Sequence, residues 1–262
     1  MTIKLELLRH LPKTNKKNNP PLLFIHGAFS GAWCWEEYFL PYCAAQGYPA
    51  YAVSLRGHGR SEGTLWSASL ADYVEDVVST IAQLGQLPVL IGHSMGGMVV
   101  QKYLQQYPAL AAVLMNSVPP TGLSCSLFYM AGREPLLLQQ LALMQWVSPL
   151  FATQDTMRRA LFSEDMPREK LDHYFSHLQG ESVRIQWDLM GLDLPMRWPR
   201  PRLNMLVLGA EKDAFFPPSV MRFIARTYHA DCHIFDNMAH AMMLENRWQV
   251  AADALLAWLE KK

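Results

Sequence analysis

Along this chain, short and nearly continuous apolar runs alternate with longer stretches in which apolar residues recur every three or four positions. The runs Leu22 to Ile25, Ala50 to Leu55, Val89 to Ile91, Leu110 to Met115, Asn204 to Leu208 and Cys232 to Phe235 have the length and content of buried strands. The opening MTIKLELLRH alternates like one more strand. Helical patterns lie between them. Trp35 to Gln46 reads as one helix, with Pro41 near its first full turn and Gly47 as its stop. Leu70, Tyr73, Val74, Val77, Val78, Ile81 and Leu84 form a stripe that Ser69 is placed to cap and Gly85 to end. Met95 to Tyr107, Ser219 to Thr227 and an amphipathic stretch ending at Lys262 complete the set. Such alternation predicts an α/β fold, a mostly parallel sheet with helices on both faces.

The alternation lapses between Pro119 and Trp198. That stretch is rich in Met, Leu, Phe and Trp, reads as several helices, and returns through the stiff Trp198-Pro-Arg-Pro-Arg202. The expected organisation is therefore a core of 1–118 and 199–262, with 119–198 as a helical cap insertion over one end of the sheet. Methionines and aromatics of this insertion (Met130, Met144, Trp146, Phe151, Trp187) are expected mostly to pack, with some facing the space beneath.

Composition excludes several functions. With 262 residues, half of them hydrophobic, the chain can bury a large core. Lys+Arg and Asp+Glu are both 23, so no net field draws in nucleic acid or an anionic membrane. Lys13 to Lys17 is a short basic patch and reads as a solvated turn. No apolar run reaches membrane-spanning length, and the N-terminus lacks the apolar segment of a signal peptide. The four cysteines, Cys34, Cys43, Cys125 and Cys232, lack metal-type spacing and read as reduced, buried thiols. A cytoplasmic location is expected. His173 and His177, four apart, would share a helix face, but no third metal ligand accompanies them.

The candidate chemistry begins at Gly92-His93-Ser94-Met95-Gly96, set between an expected strand and an expected helix. A sharp strand-to-helix turn would lift the Ser94 hydroxyl clear of the sheet, and Gly92 and Gly96 would let strand and helix approach. The helix N-terminus above Ser94 favours developing negative charge. A serine needs a base, and the base a carboxylate. Asp213 follows one later strand and His240 the next, the positions from which such a carboxylate and base are expected; Glu211 rivals the former, and His229 and His233 the latter. Asp188 and Asp193 lie in the insertion and are weaker rivals. The loop HGAFSGAWCW can supply a second backbone N–H at Ala28, with Gly27 permitting close approach. His26 and His58 are expected to brace loops near the site, and His93 to pack beside the turn.

These motifs resemble the α/β-hydrolase superfamily, in its small serine esterase and lysophospholipase-like group. HGAF at 26–29, RGHGRS at 56–61, GHSMGG at 92–97, GAEKD at 209–213 and MAH at 238–240 carry the resemblance across the core. HGAFSGAWCW is also similar to the plant methylesterase and hydroxynitrile lyase branch. The resemblance implies Ser94 as nucleophile, His240 as base, Asp213 as acid, and Ala28 and Met95 as oxyanion-hole donors, with no cofactor and no metal. The implied partner is a small-molecule ester, with no nucleic acid and no stable membrane insertion; the Met, Leu, Phe and Trp residues of 119–198 add the expectation of an apolar acyl or alcohol part. Phe29, Met130, Trp146 and Trp187 are the candidate substrate contacts. Related dehalogenases and epoxide hydrolases carry Asp at the position of Ser94. Hydroxynitrile lyases carry Lys at that of Ala241, and cofactor-free haloperoxidases a bulky aromatic at that of Ala28. Two other functions use this fold: carbon–carbon bond hydrolysis, for which Arg133, Arg158 or Arg184 would bind a substrate carboxylate, and ligand binding by a receptor with little turnover.

Overall fold

The structure, a computed structural model, describes residues 3–13, 18–146, 153–195 and 203–262; the side chains of 125 and 144–146 are outside that description. Most of the Lys13 to Lys17 patch, Phe151, the proline-rich return at 198–202 and the side chains of Met144 and Trp146 therefore lie outside the described residues.

Seven strands form one sheet: β1 (Leu7–His10), β2 (Leu22–Ile25), β3 (Ala50–Val53), β4 (Val89–His93), β5 (Ala111–Met115), β6 (Asn204–Ala210) and β7 (Asp231–Phe235). Their spatial order is β1-β3-β2-β4-β5-β6-β7, and all neighbours are parallel except the antiparallel edge pair β1–β3. Successive strand residues point to opposite faces, so both faces of the inner strands are apolar. Phe24, Ile91, Val113 and Leu208 meet one helical layer through α2 (Phe39–Ala45) and α11 (Trp248–Leu259). Leu23, Leu90, Leu114 and Val207 meet the other, through α3 (Leu70–Leu84), α4 (Met95–Tyr103) and α10 (Pro218–Tyr228). The expected three-layer arrangement is the one found.

Local chemistry explains the boundaries. Ser69 caps α3 through a reciprocal box with Asp72, and Gly85 ends it in the left-handed region at φ 67°. The expected helix from Trp35 to Gln46 is instead two, α1 (Trp33–Glu36) and α2, parted at Glu37 and Tyr38. The ring of Pro41 collides with the carbonyl four residues back, that of Glu37, in a continuous helix. Regular helix in α4 stops at Tyr103, short of Tyr107. Cys34 and Cys43 are buried, as expected, but Cys232 is exposed, because β7 is an edge strand whose first residues have a neighbour on one side only.

Between β5 and β6 the chain forms α5 (Ser124–Arg133), α6 (Pro135–Trp146), α7 (Gln154–Leu161), α8 (Arg168–Ser176) and α9 (Val183–Trp187), the last running into a π-type turn at Asp188–Leu192. The parallel strands β2, β4, β5, β6 and β7 all end on one edge of the sheet. In open parallel sheets that carboxyl edge is where ligands bind. Among the described residues, no helix is long and apolar enough to cross a membrane.

Candidate active site

Ser94 joins β4 to α4 with φ 52° and ψ −117°, a strained backbone for a residue with a side chain. The surroundings enforce it. Ser94 donates its N–H to the Met115 carbonyl at 3.0 Å, and its own carbonyl accepts from Gly97 and Val118. A Cβ at Gly92 would strike the backbone of Gly96, and one at Gly96 the carbonyls of Ile25 and His26. The turn is tight because strand, helix and the end of β2 touch there. Gly27 is constrained likewise: a Cβ would meet His93 Nδ1 at 2.8 Å and Ser94 Cβ at 3.1 Å.

Asp213 and His240 come from the loops after β6 and β7. His240 Nδ1 donates to Asp213 Oδ2 at 2.8 Å, both side chains buried. The other carboxylate oxygen, Oδ1, accepts the backbone N–H groups of Phe215 at 2.7 Å and Phe216 at 3.0 Å. Three donors thus fix the carboxylate, and the carboxylate fixes the imidazole with its proton on Nδ1, which in the neutral ring leaves a lone pair on Nε2. The rings of Phe215 and His93 flank it, with centroids at 4.6 Å and 4.7 Å. The rivals lie elsewhere. Glu211 is exposed and accepts from the backbone of Asn237, and His229 and His233 are exposed. Asp188 bonds Leu70 and Arg184, and Asp193 pairs with Lys102.

Ser94, His240, Ala28 and Met95 all line one cavity of about 410 Å³. Met95 begins α4, and among the described residues no acceptor takes the backbone N–H of either Ala28 or Met95. Phe29, Met130 and Trp187 line the cavity; the side chain of Trp146 is outside the described residues. Sequence reasoning passed over other lining residues, among them Met157, Tyr174, Phe215 and Met243. No Lys, Arg, Asp or Glu among the described residues lines the cavity. Arg133 lies over Tyr129, Arg158 pairs with Asp155, and Arg184 with Asp188.

Several supporting residues carried no signal in the sequence. Asn116, at φ 40° just after β5, donates its amide to the carbonyls of Ala239 and His240 and accepts from Ala210 N–H, so it ties the end of β6 to the His240 loop. Glu245 holds the same loop at Ala239 N–H and reaches across to both the backbone and hydroxyl of Ser163. His26 donates from Nδ1 to the Gly27 carbonyl and accepts Leu55 N–H at Nε2, the bracing role expected of it. Burial, with the His58 charge beside it, pushes its pKa down to about 3, so His26 is neutral. His173 and His177 sit side by side with ring centroids at 4.7 Å, and His173 lies 3.8 Å from Glu37. Among the described residues, no group of three or more His, Cys, Asp or Glu converges as a metal site would require.

A family model described as the alpha/beta hydrolase family matches residues 22–254. A non-heme haloperoxidase of Rhodococcus erythropolis is 34% identical over 104 residues, 38% of each chain, so that match spans under half of either protein. A pyrethroid hydrolase of Sphingobium wenxiniae is 30% identical over 219 residues, 79% of this chain and 76% of that one. In fold, an esterase from Exiguobacterium antarcticum superimposes with a TM-score of 0.78 at 17% identity, covering 98% of this chain and 96% of that chain.

Proposed function

This chain belongs to the alpha/beta hydrolase family, and from that premise we propose that it is a serine hydrolase of uncharged carboxylic esters with an apolar acyl or alcohol part. The observation that carries the proposal is that His240, held by Asp213 at 2.8 Å, lines together with Ser94 a cavity whose described lining holds no Lys, Arg, Asp or Glu. The chain's similarity to proteins named as an esterase and a pyrethroid hydrolase supports this reading.

In this mechanism Ser94 Oγ attacks the ester carbonyl while His240 Nε2 takes its proton. Asp213 keeps the imidazole in the tautomer that can do so and stabilises the imidazolium. The backbone N–H groups of Ala28 and Met95 hold the developing oxyanion. The alcohol leaves with the proton from His240, and water repeats the sequence on the acyl-enzyme. No cofactor is needed. The segment 119–198 acts as the roof, contributing Met130 and Trp187, with Phe29 on the core side; Trp146 completes the proposed contacts.

Carbon–carbon hydrolysis of a carboxylate-bearing substrate has less support, since Arg133, Arg158 and Arg184 all stand outside the cavity lining. A receptor with little turnover would leave two unengaged N–H donors beside a strained serine without use.

The test is kcat/KM for p-nitrophenyl esters from C2 to C12, with Ser94→Ala as the blank. Each methylene buried in the transition state contributes about 0.8 kcal/mol, close to fourfold. Specificity should climb from acetate through butyrate toward hexanoate and then level or fall as the cavity fills. A sharp maximum at acetate overturns the apolar-acyl reading, and absence of turnover on every ester overturns the hydrolase reading.

A further inference from the structure

A second buried polar cluster lies beside the first. Glu181, in the connection between α8 and α9, has a fully buried side chain, yet four donors reach its carboxylate. Oε1 accepts from the Tyr73 hydroxyl at 2.8 Å and from Ser182 N–H at 2.7 Å. Oε2 accepts from His58 Nε2 at 3.1 Å and from the backbone N–H of Phe29 at 3.2 Å. Burial works to raise this carboxyl, but the His58 charge and the hydrogen bonds outweigh it and hold the group below the usual carboxylate range.

Phe29 is the residue that matters. It has φ 62°, a left-handed backbone that a bulky side chain adopts only when its surroundings compel it. Both of its peptide groups are held by the same strap of chain. Glu181 accepts its N–H, and Gln179 N–H donates to its carbonyl at 3.1 Å. The Gln179 side chain adds a double clamp on the neighbouring loop, accepting from Gly59 N–H at 2.8 Å and donating to the Gly57 carbonyl at 3.0 Å. The peptide unit that Glu181 holds joins Ala28 to Phe29, one unit along from the N–H assigned to the oxyanion.

We infer that Glu181 is a positioning residue for the oxyanion loop: by holding the Ala28–Phe29 peptide against its strain, it aims the Ala28 N–H at the site of negative charge. The segment between β5 and β6 then completes the catalytic geometry as well as roofing it. The consequence is specific. Removing Glu181 lets the Phe29 backbone relax and turns the Ala28 donor away. Substrate still binds, because the apolar lining other than Phe29 is unchanged, but the tetrahedral intermediates of acylation and deacylation lose a donor.

This inference rests on the ester-hydrolase reading, and the test separates the two. Wild type, Glu181→Gln and Glu181→Ala are compared on p-nitrophenyl butyrate, with thermal midpoints and the inhibition constant of an alkyl trifluoromethyl ketone, whose serine adduct carries an oxyanion. Loss of a whole oxyanion donor costs about 10²–10³-fold in kcat, so a displaced one should cost about tenfold or more in Glu181→Ala, and less in Glu181→Gln. KM should change by less than about threefold, and ketone affinity should weaken by about the same factor as kcat/KM. Glu181→Gln keeps the side-chain shape and decides the matter if Glu181→Ala does not fold. A folded Glu181→Gln with kcat and ketone affinity both within twofold of wild type overturns the inference. So does a loss confined to KM or to the thermal midpoint. If wild type turns over no ester, or Ser94→Ala retains activity, the hydrolase reading fails and takes this inference with it.

Discussion

His93 Nε2 donates to the backbone carbonyl oxygen of His240 at 3.0 Å, and the two rings lie 4.7 Å apart. The residue before the proposed nucleophile thus carries the loop of the proposed base. Asn116 donates to the same carbonyl at 2.8 Å. Two buried side chains, one beside Ser94 and one at the end of β5, therefore tie the His240 loop to the sheet.

Asn116→Ala should loosen that loop. It removes the amide from two carbonyls and leaves the buried Ala210 N–H without its acceptor. An orphaned buried donor costs about 1–3 kcal/mol, which for a chain of this size is a fall of a few degrees in melting temperature. kcat should drop with it, since the loop that carries the imidazole keeps the ties from His93 and Glu245 but loses those from Asn116. A melting temperature and kcat both equal to wild type would contradict this account.

Ser94→Ala should lower kcat by at least roughly 10³-fold, the residue of activity coming from binding and the oxyanion donors. His240→Ala should cost about as much. Because the two act as one unit, the double variant should add little to either. Steady-state kinetics on purified variants decide it; a Ser94→Ala enzyme with more than about a tenth of wild-type activity would rule out the assignment.

Asp213→Asn should be severely impaired, because an amide cannot be relied on to fix the imidazole with its proton on Nδ1. Glu211→Gln should stay near wild type, since Glu211 is exposed and its carboxylate accepts from the Asn237 backbone rather than from His240. Equal damage from both changes would move the acid role away from Asp213.

Stability should fall as acid is added below neutral pH. Burial first, then the charge of neighbouring His240, holds His93 well below its ordinary value of 6.5, and His26 is similarly depressed to about 3. Both are neutral when folded, so the unfolded chain binds their protons first. Their stabilisation is fully present above pH 6.5 and is lost as pH falls through that value toward the folded one. Glu245 acts in the opposite sense, as burial raises its carboxyl. The difference experiment isolates one group: between pH 7 and pH 5, His93→Gln should reduce the loss of stability by up to roughly 2 kcal/mol. Urea midpoints at the two pH values measure it, and an unchanged loss would show that His93 does not carry the effect.

What the sequence by itself determined is whatever local pattern encodes. Apolar runs such as Val89 to Ile91 placed the strands within a few residues, because side-chain period follows from backbone geometry. The Ser69 cap and Gly85 stop were legible for the same reason, and so was the turn at Ser94, whose glycines answer contacts within a few residues and with the end of β2. Parallel topology puts the residues after β4, β6 and β7 on one edge, so the order of Ser94, Asp213 and His240 along the chain is enough to make them candidates for one site. The split helix at Glu37 is local information as well, carried by Pro41, whose ring a continuous helix from Trp35 cannot accommodate. The tertiary structure alone decided the partners of polar residues distant in sequence: Glu181 with Phe29 and Tyr73, Asn116 with His240, Glu245 with Ser163. A lone Glu or Asn in a sequence carries no period and no spacing. Its role is fixed by which groups packing leaves buried beside it and by the cost of leaving any of them unpaired.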